Sequence, residues 1–270
     1  MATQREIKKR IKASKGIASV ARALQLISAN KIRRAQRLHE SNLIYLDSLM
    51  EFTGRVEKAE TKVPSSLSLF LIFTPERGLC GSLLNQITAG FLGITKINPG
   101  ALYIFVGKKG RGLTKYSAEK TLAIFDFGSG YPTFTKTLPI SKLVMEEIKK
   151  NRALNIYCLY PKFVNIQKID VTLESVYPMR FGGIGQDRLV TDLPREEIMT
   201  SLELTFVKNY VYQKYVESFL SENAARMVAM TQASRNAVEL GGELTHVLNQ
   251  ERQKSITTEI LELKGGINNE

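Results

Sequence analysis

The sequence predicts an α/β chain in which two long terminal helices coil around each other in antiparallel fashion, with a partly parallel sheet domain between them. Three observations carry this. All eight prolines lie between Pro64 and Pro194, so both ends lack the residue that most strongly breaks helices. Apolar residues in the first end segment recur mostly three or four apart, with one gap of seven, and those in the last keep a similar but looser rhythm, the period of an amphipathic helix. Between them, short apolar runs alternate with helical patterns, as in α/β sheets. The expected segments are 1–62 for the N-terminal coiled-coil helix, 63–194 for the α/β domain and 195–270 for the C-terminal coiled-coil helix.

The first helix is expected from Gln4 to about Lys58, with Gly16 and Gly54 as its only glycines. Ile17, Val20, Ala21, Leu24, Ile27, Ser28, Ala35 and Leu38 mark its expected apolar stripe. Buried strands are expected at "SLFLIF" (Ser68 to Phe73), "ALYIFV" (Ala101 to Val106), "LAIFDF" (Leu122 to Phe127) and "NIYCLYP" (Asn155 to Pro161). Helical patterns at Leu79 to Leu92 and Ser141 to Asn151 separate several of them. "QKIDVTLESVYP", Gln167 to Pro178, alternates apolar and polar residues and reads as an edge strand.

The second long helix, Glu196 to Leu263, carries Phe206, Tyr210, Val216, Leu220, Met227, Ala237, Leu244, Leu248, Ile256, Ile260 and Leu263 at a looser rhythm. Helices of this length would measure ~80 and ~100 Å at ~1.5 Å per residue. No compact core covers such rods, so they are expected to pair with each other and to gain further burial from another chain. Ala, Ser and Gly241-Gly242 fill much of the stripe; they allow close approach but bury little surface.

The formal charge is +12, and its placement is uneven. Met1 to Arg37 holds eleven Lys or Arg against the single acid Glu6, while the remaining residues are nearly balanced. A basic arm on a neutral body points to nucleic acid, an acidic membrane surface or an acidic protein partner. Lys31, Arg33 and Arg34 have no acid three or four residues away, so they repel one another locally until something negative arrives. "SLSLFLIF", the longest nearly unbroken apolar run, is far shorter than the ~20 residues a membrane helix needs. An apolar signal-peptide core after Met1 is lacking, and Cys80 and Cys158, far apart, suggest a reducing compartment. A cytosolic location is expected. An acid-poor, arginine-rich start also suits an organelle presequence, a reading set aside because the family motif named below begins almost at once.

Motifs for chemistry are mostly absent. There is no Walker phosphate loop, and "GKKGRG" (Gly107 to Gly112) and "GSG" (Gly128 to Gly130) miss the dinucleotide spacing and read as turns. His39 and His246 have no metal-ligating neighbour one helical turn away. "TPERGLCGSLLNQ", Thr74 to Gln86, joins a strand to a helix. It could bind an anion on backbone N–H groups or activate Cys80, but without a base nearby it reads as a tight turn around a small buried sulfur. No catalytic residue, cofactor or metal is expected.

"SENAARMVAMTQASRNA" (Ser221 to Ala237) and "NQERQKSITTEILEL" (Asn249 to Leu263) resemble the γ subunit of F-type rotary ATP synthases. "VARALQLISANKIRRAQ" (Val20 to Gln36) is similar to that family's first helix, and "RGLCG" with Asn85 to its central turn. The resemblance implies a Rossmann-like domain inserted between the coiled ends, and a non-catalytic shaft that couples ion-driven rotation to ATP synthesis or hydrolysis on partner chains. Implied partners are a hexamer of α and β subunits, an ε subunit and the membrane c-ring. Neither nucleic acid nor direct membrane insertion is implied, and the place is the cytoplasmic face of a bacterial plasma membrane. Lys31, Arg33 and Arg34 are then implied to face acidic β-subunit loops, and Arg252, Gln253, Thr257 and Glu259 to contact the hexamer near the upper shaft. Two rivals stand beside this reading. A nucleic-acid-binding coiled coil rests on the basic arm, whose first aromatic residue is Tyr45, too late for base stacking. A small-molecule enzyme lacks both a fingerprint loop and an acid-base pair.

Overall fold

A computed structural model describes residues 4–56, 67–128, 130–150, 155–177 and 195–267. In chain order these form α1 (Gln4–Val56), β1 (Ser68–Phe73), α2 (Leu83–Ile97), β2 (Leu102–Val106), β3 (Thr121–Phe125), α3 (Phe134–Lys150), β4 (Asn155–Phe163), β5 (Ile169–Tyr177) and α4 (Arg195–Ile267). Three short 3-10 turns lie between β2 and β3. The expected ends at Lys58, Asn151 and Pro178, and the side chain of Leu263, lie outside the described residues. Two compact units result: Met1–Ile27 with Met227–Glu270, and Ser28–Arg226.

The first unit is an antiparallel helix pair. Gln4 Nε2 donates to Ser255 Oγ at 3.3 Å, Ser14 Oγ to the Ala237 carbonyl, and Ser234 Oγ to the Ala18 carbonyl at 3.4 Å. Rising numbers on α1 meet falling numbers on α4. Ile7, Ser14 and Ala21 are buried seven residues apart, as are Met230 and Ala237. Seven-residue spacing is the mark of a coiled-coil seam. A Cβ added at Gly241 would meet Ser14 Oγ at 3.6 Å, so the helices approach closely there.

This seam corrects the expected stripe. Ile17, Val20 and Ile27 are 58%, 61% and 52% exposed, whereas Ala21, Ser28 and Ala35 are buried. Two rows of similar period run along α1, and only the one with small residues faces α4. On α4, Ile256 and Ile260 are likewise exposed, while Leu244 and Leu248 are half-buried. A two-helix seam is narrow, and the bulkier row has no place in it.

The second unit holds a five-stranded sheet of order β3-β2-β1-β4-β5. Its first four strands are parallel and β5 is antiparallel at the edge. The order 3-2-1-4 matches the first four strands of the Rossmann order 3-2-1-4-5-6. β1 is buried on both faces, as an apolar run in a parallel sheet should be. The pleat sends Leu69, Leu71 and Phe73 into a core with α3 and α4, and Phe70 and Ile72 into a core with α2.

α2 starts at Leu83, not at Leu79. Leu79 sits at φ 62°, a left-handed value that ends any helix there, and Gly81 follows at φ 60°. α3 begins seven residues before the expected Ser141 and carries Pro139 inside it. Near the N-terminal end proline's fixed φ suits the helix, and its missing N–H costs one bond with the Thr135 carbonyl.

α4 crosses the sheet with Val207, Val211 and Tyr215 in the first core. The Ser28–Val56 part of α1 packs on it with Ser28, Ile32, Ala35 and Leu46 buried, and Asn42 Nδ2 donates to Gln213 Oε1 at 2.8 Å.

Gly107, at the end of β2, has φ 110°, and a Cβ there would lie 2.0 Å from the Thr74 carbonyl oxygen. The β1 and β2 ends can meet only without a side chain. Gly107→Ala is expected to destabilise the chain by well over ~1 kcal/mol, read as a lowered urea midpoint; an unchanged midpoint would contradict the geometry.

Candidate partner surfaces and the switch-point crevice

The seven expected contact residues fall in two places. On α1, Arg33 is exposed and donates to Asn30 Oδ1 at 3.2 Å on its own helix. Arg34 is also exposed, with its guanidinium carbon 4.2 Å from the Tyr131 ring centre. Lys31 is half-buried, its amine 5.6 Å from the Phe219 ring centre. Burial pushes that amine below its usual pKa, and the charges of Arg77 and Arg226 add to the shift. Thus Lys31 and Arg34 rest on aromatic faces, an attraction of ~0.5–1 kcal/mol at exposed sites. On α4, Arg252, Gln253, Thr257 and Glu259 are all exposed, and Thr257 Oγ1 donates to the Gln253 carbonyl at 2.9 Å.

A parallel sheet of this order has a crevice at the carboxyl ends of the strands where the order reverses, here between β1 and β4. In nucleotide-binding sheets that crevice takes the ligand. In this chain α4 fills it. Glu222 accepts the Glu76 N–H at 2.8 Å and the Arg77 N–H at 3.3 Å. Arg226 pairs with Glu222 at 2.6 Å and donates to the Gly78 carbonyl at 3.1 Å and the Arg77 carbonyl at 3.3 Å. Side chains of α4 thereby satisfy the backbone of the β1–α2 turn, donors and acceptors alike.

Below them Glu76 is buried and accepts the Lys108 and Phe127 N–H groups at 3.2 and 3.1 Å. Burial pushes its carboxyl up to about 7, against the pull of those two bonds and with repulsion from Asp126. A cavity of about 10 Å³ remains, lined by residues of β1, β2 and α4. Small-molecule pockets measure roughly 300 Å³ or more. This cavity, at the ends of β1 and β2, has no room for a nucleotide.

A second polar group ties α4 to β4 and β5. Lys214 Nζ lies 2.6 Å from Glu174 Oε2 and donates to the Tyr160 hydroxyl at 2.7 Å, and Tyr210 donates to Glu174 at 2.7 Å. Burial raises the Glu174 carboxyl, but the bonds from Lys214 and Tyr210 outweigh it and leave it below the ordinary range. Glu217 Oε2 stands 3.5 Å from Lys214 and 3.8 Å from His39 Nε2.

Cys80 and Cys158 are both buried, and burial raises both thiols, so the start of α2 does not activate Cys80. "GKKGRG" forms a turn whose Lys108–Gly112 portion is 3-10. Among the described residues no cluster of His, Cys, Asp and Glu is placed to hold a metal ion, and no helix is long and apolar enough to cross a membrane.

Sequence reasoning missed Glu222, Arg226, Glu76 and Lys214. A signal for the first two existed: "YVESFLSENAARM" puts an acid and a base four apart in a stretch with no continuous polar face. Charged residues there must find partners inside the protein.

Glu222→Ala leaves Arg226 buried without its counter-charge and is expected to cost ~3–5 kcal/mol, measured by equilibrium urea unfolding. For Glu76, the folded state holds a proton up to pH about 7, while an unfolded glutamate loses it near ~4.3. Stability from this group therefore falls as pH rises between those values. Glu76→Gln should flatten that decline in urea midpoints taken from pH 4 to 8.

A family model described as ATP synthase matches residues 3–269. ATP synthase gamma chains of Dehalococcoides mccartyi and Roseiflexus castenholzii are each 32% identical, covering 98% of this chain and 98% of theirs. Among solved structures, a chain of the Euglena gracilis mitochondrial ATP synthase (OSCP/F1/c-ring) aligns with TM-score 0.72 at 20% identity, over 98% of this chain and 93% of that one. A chain of the Tetrahymena thermophila central stalk with c-ring aligns with TM-score 0.65 at 20% identity, over 80% and 99%. Full-length matches of this kind, on a fold whose ligand crevice is closed by its own helix, lead to one assignment: the chain belongs to the ATP synthase gamma chain family, whose members are the non-catalytic rotor subunit in the central stalk of the enzyme.

Proposed function

We propose that the chain turns within a hexamer of α and β subunits and stands on an ε subunit and a membrane c-ring. It thereby passes torque between ion flow and ATP chemistry on the partner chains. The observation that carries this reading is the first unit's exposed apolar row. Ile17, Val20, Ile27, Ile256, Ile260 and Leu261 are between 44% and 63% exposed, and large apolar side chains gathered on a surface mark places that meet another protein. A surrounding cage of protein gives it cover. The Euglena and Tetrahymena chains come from assemblies that include the c-ring, which supports the same placement here.

In this reading the functional segments are 1–62, 63–194 and 195–270, and the chain is held at the cytoplasmic face of a bacterial membrane only through its partners. Lys31, Arg33 and Arg34 present the charge that meets acidic β-subunit loops, and Arg252, Gln253, Thr257 and Glu259 contact the hexamer along α4. Because one rotor faces several equivalent partners in turn, contacts must be remade at each step. Long-range charge attraction varies smoothly with angle, whereas interlocked packing does not.

Arg33 is the most diagnostic of these residues, since it is exposed and bonds only to Asn30 among the described side chains. Reversing Lys31, Arg33 and Arg34 together to Glu should lower ATP synthesis several-fold at matched assembly, with Arg33→Glu alone giving part of the loss. Synthesis at the parent rate in both variants would reject the proposed contact.

A further inference from the structure

We propose that the cavity between the ends of β1 and β2 and the middle of α4 holds one ordered water molecule. It would join the Tyr215 hydroxyl to the carboxylates of Glu76 and Glu222. Two observations converge on it. Tyr215 is only 4% exposed, lines the cavity, and its hydroxyl has no hydrogen-bond partner among the described residues. A buried hydroxyl left unpaired is costly. The space, about 10 Å³ for a water's centre, is at the limit of what a single water needs.

The lining also includes residues with polar side chains. Apolar cavities stay dry, whereas a buried water needs two to four polar partners. The cavity wall is mostly apolar, with Phe73, Val106 and Phe219, but Thr74, Glu76, Ser218 and Glu222 also line it beside Tyr215. One water can donate to both carboxylates and accept from the phenol, which matches the donor and acceptor count of each group. Burial raises the Tyr215 hydroxyl, with the charges of Glu76, Glu222 and Asp126 adding to it, as expected if they face one space.

A metal ion fits less well. Hard divalent cations ask for about six or more oxygens, more than this volume can gather. The charge of Glu222 is already answered by Arg226 at 2.6 Å. The proposal does not depend on the rotor assignment, since every residue involved lies within the second unit.

Crystals of the full chain at pH 8, parent and Tyr215→Phe, provide the direct test. A single solvent peak at hydrogen-bond distance from the Tyr215 oxygen, lost or displaced in the variant, is the expected result. A dry cavity overturns the proposal, as does an anomalous peak there after soaking in rubidium, which would make the occupant a cation. Urea unfolding supplies an independent sign. If a water is bridged, Tyr215→Phe lowers the midpoint by removing one of its partners; if the cavity is dry, removing an orphan hydroxyl raises the midpoint, and the proposal fails.

Discussion

The middle of α4 has no side left for water, and the second unit is organised around that constraint. From Val211 to Ala224 nearly every residue is buried, among them Gln213, Lys214, Glu217, Ser218, Ser221, Glu222 and Asn223. A helix placed this way meets the sheet, α1 and the β1–α2 turn in different directions. Its polar residues are tolerable only because each neighbour returns a bond. Ser221 donates to the Pro161 carbonyl at 2.7 Å, Lys214 reaches Glu174, and Glu222 and Arg226 close the turn. Such a network acts as a key: slipping α4 by one residue would break all of these bonds at once. Register, more than net stability, is what buried charges of this sort provide.

The two units differ in how they hold together. Within the sheet domain, fully buried Phe70, Phe73, Phe91, Phe105 and Tyr103 each contribute ~1.5–3 kcal/mol by leaving water. Apart from Ile7 and Met230, the seam of the helix pair is made of small residues such as Ser14, Ala18, Ala21, Ser234, Ala237 and Gly241, which bury far less. This contrast suits a subunit of a rotary machine. The second unit has a large apolar core, and the helix pair has only a narrow one.

Much of this architecture is legible in the residues. Proline placement bounds both long helices because each Pro would remove a helix bond. The strand runs at Ser68 and Asn155 stand out because a parallel strand buried on both faces must be apolar throughout. The helix seam was only half legible: the expected stripe held Ala21, Ser28 and Ala35, which are buried, together with the larger Ile17, Val20 and Ile27, which are exposed, because hydropathy alone does not tell the two rows apart. The start of α2 was misplaced because Leu79 looks like a helix residue, while its left-handed backbone is set by the tertiary turn. The crevice was invisible for a different reason: Glu76 and Glu222 are 146 residues apart, and no local pattern announces their meeting. The candidate contact residues other than half-buried Lys31 are exposed as surface residues should be, yet Lys31 and Arg34 leaning on aromatic rings could not be foreseen, since Phe219 and Tyr131 lie far along the chain.

The seven-residue spacing along the seam gives the helix pair a hand. An α-helix has 3.6 residues per turn, so a repeat of seven drifts around it and the two helices wind leftward about each other. A rope with a hand does not answer both senses of twist alike. Turning one end with the lay draws the strands together until Ser14 and Gly241 stop them, and turning it against the lay opens them. A helix pair wound this way would tighten under one sense of twist and loosen under the other.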